Sequence, residues 1–170
     1  MGNERYSIIF SSRTGNTEML ARAIRDALGQ GACERFGRAE DGDVPSSELL
    51  FVGFWTDRGI ADAAAIELLE GLRGRRIFLF GTAGFGGSGA YFDGILQKTR
   101  AHIDASNTVV GEFMCQGRMP RSVRERYVKM KAQPDCAPNI DAMIENFDAA
   151  ATHPDEGDLE KLKLAVAQVL

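Results

Sequence analysis

The feature that most constrains this chain is a junction near its start. Tyr6-Ser7-Ile8-Ile9-Phe10 is a short apolar run with β-branched and aromatic residues, the pattern of a buried strand. Met19, Leu20, Ala23, Ile24, Ala27 and Leu28 then recur at helical spacing. The loop between them, Ser11-Ser12-Arg13-Thr14-Gly15-Asn16-Thr17, packs four hydroxyls around one glycine. A helix N-terminus offers unpaired N–H groups and the positive end of the helix dipole. Hydroxyl donors beside it complete a cradle for a phosphate. One hydroxyl would suffice to cap the helix, so four favour the phosphate. No lysine followed by Ser or Thr closes a Walker A frame, and no G-x-G-x-x-G is present, which points to a monophosphate.

The remainder of the chain alternates strand and helix. A short second strand is expected over 32–36, a continuous apolar run at 49–54, a third buried run at 76–80 and a fifth strand over 107–115. Helices carry Ala64, Ala65, Leu68, Leu69 and Leu72, then Phe92, Ile95, Leu96, Thr99 and Ile103. This alternation predicts an α/β fold with a doubly wound, five-stranded parallel sheet of order 2-1-3-4-5. The loops at 11–17, 54–59 and 81–88 follow strands one, three and four, so all three converge on the crevice at the topological switch point. At 170 residues the chain has the length of one domain.

Composition excludes several classes. No apolar run approaches a membrane span, and no secretory signal is recognisable at the start, so a cytoplasmic address is expected. Cys33, Cys115 and Cys136 form no metal-spaced pair, and His102 and His153 stand apart from them, so no metal is expected and the two histidines read as solvated.

Ser12-Arg13-Thr14-Gly15-Asn16-Thr17 resembles the Ser/Thr-x-Thr-Gly-x-Thr phosphate loop of the flavodoxin family. The resemblance implies flavin mononucleotide (FMN) as cofactor, its 5′-phosphate held by Ser11, Ser12, Arg13, Thr14, Gly15, Asn16 and Thr17. Phe54, Trp55, Thr56, Asp57 and Gly59 would form the second loop. Trp55 is the single tryptophan and could stack on the isoalloxazine, or cover the sheet end as a core residue. Gly59 is placed for the family's backbone switch near flavin N5, or for an ordinary turn. Asp57 could lower the flavin potential or cap the next helix. Thr82, Ala83, Gly84, Phe85, Gly86 and Gly87 would form the third wall. Flavodoxins often carry a tyrosine there, whereas Tyr91 here lies further on.

After Cys115 there remain 170 − 115 = 55 residues, more than the one helix a simple flavodoxin needs. Helical segments are read at 120–130, 139–150 and 155–170, the last covering the sheet and the others forming an insertion over 116–153 on the flavin side. The insertion carries Arg118, Arg121, Arg124, Arg126, Lys129 and Lys131. This charge run is either a solvated face or an electropositive rim that steers an anionic partner or substrate. It does not argue for nucleic acid. Cys115 is either a redox thiol or an inert strand residue. The whole chain is similar to bacterial flavodoxin-like proteins with a helical extension, some associated with bilirubin reduction. The expected function is an FMN electron carrier serving a redox partner, with no catalytic side chain. The alternative is a flavin-dependent reductase of a quinone or other flat, possibly tetrapyrrole, substrate.

Overall fold

A computed structural model describes residues 4–86 and 88–170. Five parallel strands build the sheet: β1 (Tyr6–Phe10), β2 (Cys33–Arg38), β3 (Leu49–Asp57), β5 (Arg76–Ala83) and β6 (Thr108–Gln116), in the spatial order β2-β1-β3-β5-β6. A two-residue strand, β4 (Ile60–Ala61), pairs antiparallel with the end of β3. The order of the five long strands is the one expected from the alternation, with β1 and β3 side by side at the switch point. The helices are α1 (Asn16–Leu28), α2 (Ala63–Gly71), α3 (Gly89–Arg100), α4 (Arg121–Lys131), α5 (Ile140–Ala150) and α6 (Glu156–Ala167).

The apolar strands sort onto two faces because successive side chains point to opposite sides of a sheet. Tyr6, Ile8, Phe10, Phe51, Phe78 and Phe80 pack beneath α1 and α6 with Leu20, Ile24, Leu162 and Val166. Leu50, Val52, Phe54, Ile77 and Leu79 pack beneath α2 and α3 with Leu69 and Ile95. Both faces are therefore buried, which is why the strands read as unbroken apolar runs. The large rings are accommodated by glycines on the neighbouring strands. A Cβ on Gly53 would lie 2.4 Å from the Phe80 ring, and one on Gly81 2.4 Å from the Phe54 ring.

Two boundaries differ from the sequence reading, both at the functional end of the sheet. β3 does not stop at Phe54 but runs to Asp57, and it turns back through Arg58 and Gly59 into β4. Arg58 (φ 54°) and Gly59 (φ 84°) are both left-handed, as the two central residues of a tight hairpin require. β5 likewise runs on to Ala83. The apolar pattern ends where the helices stop covering the strand, but the pairing Trp55↔Thr82 continues past that point.

Candidate functional site

The phosphate-loop sequence does not use its hydroxyls uniformly. Ser12 Oγ accepts from the N–H groups of Gly15 (3.2 Å) and Glu18 (3.3 Å), so this hydroxyl caps α1. Gly15, at φ 91°, gives the chain the left-handed turn that enters the helix. Thr17 is buried, and its hydroxyl donates to the Phe54 carbonyl (2.9 Å) and meets Thr82 Oγ1 at 3.1 Å. Ser11 is equally buried; its N–H donates to the Gly53 carbonyl (2.9 Å) and its hydroxyl to Glu40 (3.1 Å). Ser11 and Thr17 therefore tie the loop to the neighbouring strands. Arg13, Thr14 and Asn16 line the crevice.

That crevice encloses about 650 Å³ at the carboxyl ends of the strands, within the range of small-molecule sites. Trp55, Thr56, Asp57 and Gly59 line one wall. Trp55 is half-buried, and the Arg13 guanidinium lies 5.4 Å from its ring centroid. Phe54 faces the other way, fully inside the core, and meets the loop only through its carbonyl. Asp57 is exposed at the hairpin and caps no helix. The cap of α2 is Asp62, which accepts from Ala65 N (3.3 Å) and Trp55 N (3.2 Å). Burial pushes the Asp62 carboxyl up from the ordinary range, opposed by the hydrogen bonds it accepts.

Thr82, Ala83, Gly84 and Phe85 line the third side. Thr82 is buried and its carbonyl accepts from Thr56 Oγ1 at 2.8 Å. Phe85 is 41% exposed and Tyr91, at the start of α3, is 37% exposed; both flank the opening. Gly86 lies against the Gln116 side chain, and Gly87 lies outside the described residues.

The fourth side comes from residues that sequence reasoning did not assign to the site. Gly117, Arg118, Met119, Pro120, Val123, Arg126 and Tyr127 close the crevice opposite the hairpin. They are anchored to both flanking loops. Asn16 Nδ2 donates to the Arg118 carbonyl (2.8 Å), and Gly117 N to the Ala83 carbonyl (2.9 Å). The Gly84 carbonyl accepts from Gln116 Nε2 (3.1 Å) and Asn146 Nδ2 (3.0 Å). The sequence signals for this wall were its position directly after the fifth strand and the basic run that begins at Arg118.

Several polar groups at the crevice have no protein partner. Among the described residues, the main-chain N–H groups of Thr14, Asn16 and Thr17 donate to no protein acceptor, and Asn16 Oδ1 is buried without a partner. The Arg118 carbonyl fixes Nδ2 as the donor, so the orphan is an acceptor. Orphan donors at a helix start suit a phosphate, an orphan acceptor suits a hydroxylated chain, and an indole at the wall suits a flat ring. FMN carries all three.

Cys115 sits inside the core, and burial pushes its thiol well above the usual range, so it behaves as an inert apolar residue. The histidines are paired rather than simply solvated. His102 Nδ1 lies 2.7 Å from Glu70, and His153 Nδ1 lies 2.6 Å from Asp158.

The fold and crevice define a nucleotide-binding protein of the doubly wound class, with its site at the switch point. Comparison with known proteins makes this specific: the flavodoxin domain family matches residues 7–167, so the chain belongs to the flavodoxin family. It is 39% identical to a flavodoxin-like domain-containing protein BilS of Clostridium symbiosum, over 91% of this chain and 90% of the relative. A second BilS protein, from Clostridioides difficile, is 31% identical over 89% and 88%. A short-chain flavodoxin associated with a non-canonical PDU bacterial microcompartment shares the fold (TM-score 0.62, 16% identity, 97% of this chain and 96% of that one). The protein is accordingly an FMN-binding electron-transfer protein. Among the described residues, no helix is long and apolar enough to cross a membrane.

Proposed function

We propose that FMN sits in the 650 Å³ crevice with its phosphate on the main-chain N–H groups of residues 14–17, and that the loaded protein carries electrons to and from a redox partner. The observation that carries this reading is the concentration of unpartnered polar groups on one loop, between an indole and a glycine-rich strand end. In this assignment Thr14, Asn16 and the main chain hold the phosphate end. Trp55 lies against the ring system, and Thr82, Ala83 and Gly84 present main chain to its edge. Ser11, Ser12, Thr17 and Phe54 shape the loop from behind.

FMN supplies the reversible two-electron chemistry, and the chain's residues bind, orient and shield it. Asp57 is the sole carboxylate among the described lining residues, and it is exposed. Among the described lining residues no carboxylate or imidazole is buried for proton transfer to a substrate, which favours a carrier over a stand-alone reductase. The reductase reading draws on a different observation: Met119, Val123 and Tyr127 give the crevice an additional apolar side against which a flat substrate could lie. Three free cysteines fit a reducing compartment, and we assign the protein to the cytoplasm.

The test is a desalting experiment with two flavins. FMN mixed with the apoprotein and passed through a desalting column is expected to stay bound at one equivalent. Riboflavin, which has the same rings and ribityl chain but no phosphate, is expected to elute free. Equal retention of both would remove the phosphate role of residues 14–17, and loss of both would remove the site.

A further inference from the structure

The arginines around the crevice do not come from the basic run of α4 alone. Arg13 belongs to the phosphate loop, Arg58 to the β3–β4 hairpin, Arg118 to the segment after β6 and Arg126 to α4; all four line the opening and are exposed. Among the described residues none of them forms an ion pair. Lys98 joins them, its Nζ lying 3.6 Å from where a Cβ on Gly59 would stand. The only opposing charge on the described lining is Asp57.

Two other members of the basic run are spent differently. Arg124 forms a two-pronged pair with Asp148 (2.8 and 3.1 Å), and Lys131 meets Asp141 at 2.6 Å, so these two fasten α4 to α5. The fold thus gathers cations from five separate elements at one mouth, on a chain whose formal net charge is −4. Arg13 and Arg118 stand beside the phosphate loop, whereas Arg58 and Arg126 charge the two opposite walls. Between them Phe85 and Tyr91 turn ring surface outward. Exposed aromatics among arginines are the composition of a protein-binding surface rather than of a small-molecule pocket.

We propose that the crevice mouth is the docking face for a redox protein whose own electron-exchange surface is acidic. The proposal rests on the carrier reading above. Docking places acidic side chains of the partner over Arg58, Lys98 and Arg126, and the aromatic pair against apolar surface at its centre. The local field of the mouth speeds encounter with an acidic face although the chain's own net charge is −4.

The experiment uses the FMN-loaded protein, reduced anaerobically with one equivalent of dithionite and mixed with either of two haem proteins. Cytochrome b5 presents an acidic face and cytochrome c a basic one. Each haem iron takes one electron, Fe(III) to Fe(II), so two haem proteins are reduced per flavin, and the flavin's protons go to solvent. The readout is the slope of rate against ionic strength, which does not depend on the different driving forces. Between about 10 mM and about 100 mM salt, where the Debye length shortens from about 30 to about 10 Å, the rate with cytochrome b5 is expected to fall about tenfold. The rate with cytochrome c is expected to rise. In the variant Lys98→Glu, at a position beside the hairpin but outside the crevice lining, both slopes are expected to become shallower while flavin absorbance is retained. A falling rate with cytochrome c, or flat slopes with both, would overturn the proposal. So would a fall with ferricyanide, a small trianion, that cytochrome b5 does not share, because the mouth would then serve small anions. A protein that retains no flavin on desalting fails earlier and overturns the carrier reading itself.

Discussion

The two long walls of the crevice are built by opposite means. The phosphate-loop wall is tied inward by side chains: Thr17 to Phe54 and Thr82, Ser11 to Glu40, Ser12 to the first turn of α1. The wall at 117–127 is tied sideways, largely through main-chain and amide groups, to whatever stands next to it. The second wall is joined to Asn16, Ala83 and Gly84, all of which precede it in the chain. The contrast is that the hydroxyls of the phosphate-loop motif hold fold contacts, while residues outside that motif and later in the chain also line the pocket.

The sharpest way to break that contrast is at Thr17. Replacing it with valine keeps the shape and removes two buried hydrogen bonds, leaving the Phe54 carbonyl and the Thr82 hydroxyl short of a partner. Leaving buried polar groups unpaired costs about 1–3 kcal/mol, so Thr17→Val is expected to lower the unfolding free energy of the apoprotein by that amount in urea titration. Thr14→Ala, at an exposed position, is expected to stay within about 0.5 kcal/mol of the parent in stability and to weaken FMN retention instead. If Thr17→Val unfolds like the parent and loses only FMN, Thr17 is a ligand contact and the distinction between the two threonines collapses.

A second test acts on the other wall. A Cβ at Gly84 would stand 2.7 Å from Met119 Cγ and Sδ, so Gly84→Ala pushes on the segment that closes the crevice. Overpacking of this kind costs on the order of 1–3 kcal/mol, and a flexible methionine places this case at the low end. FMN affinity measured by fluorescence titration is expected to drop about fivefold, a loss of about 1 kcal/mol. Met119→Ala in the same chain is expected to recover most of it. Without recovery, the 117–127 wall does not report to the site through Gly84.

The same contrast explains what could be read in advance. The strand order, the converging loops and the loop at 11–17 were legible because each rests on local pattern: apolar runs, helical spacing and hydroxyls beside a glycine. The individual roles within that loop were not, since whether a threonine faces a ligand or the sheet is decided by the distance to β3 and β5, which no local pattern records. Trp55 was placed beyond the end of its strand because the apolar run stops at Phe54, yet hydrogen bonding carries β3 three residues further. Arg118 was legible only as the first member of a basic run, and Arg58 gave no signal at all, being an ordinary surface residue until the hairpin brings it to the same opening.

The smallest effect falls on the hairpin side and concerns Asp62. It is 3% exposed, and it fastens Trp55 to the start of α2 without touching the 117–127 segment. Because burial raises its carboxyl above the unfolded value, the folded chain holds the proton over a range where the unfolded chain has already released it. The slope of stability with pH follows the protons bound by the unfolded chain minus those bound by the folded one, and here that difference is negative. Asp62 therefore lowers stability as pH rises from about 4, the unfolded carboxyl value, through its own raised value, and the loss levels off above that. Asparagine keeps an oxygen to accept from Trp55 and Ala65 and carries no charge to desolvate. Urea titrations of the parent and of Asp62→Asn across this range are expected to differ by a shallow slope present only in the parent, with the hairpin side of the FMN site intact in both. An identical pH dependence in the two proteins would mean that the carboxyl is hydrated in solution, and that Trp55 is held by the β3–β4 pairing alone.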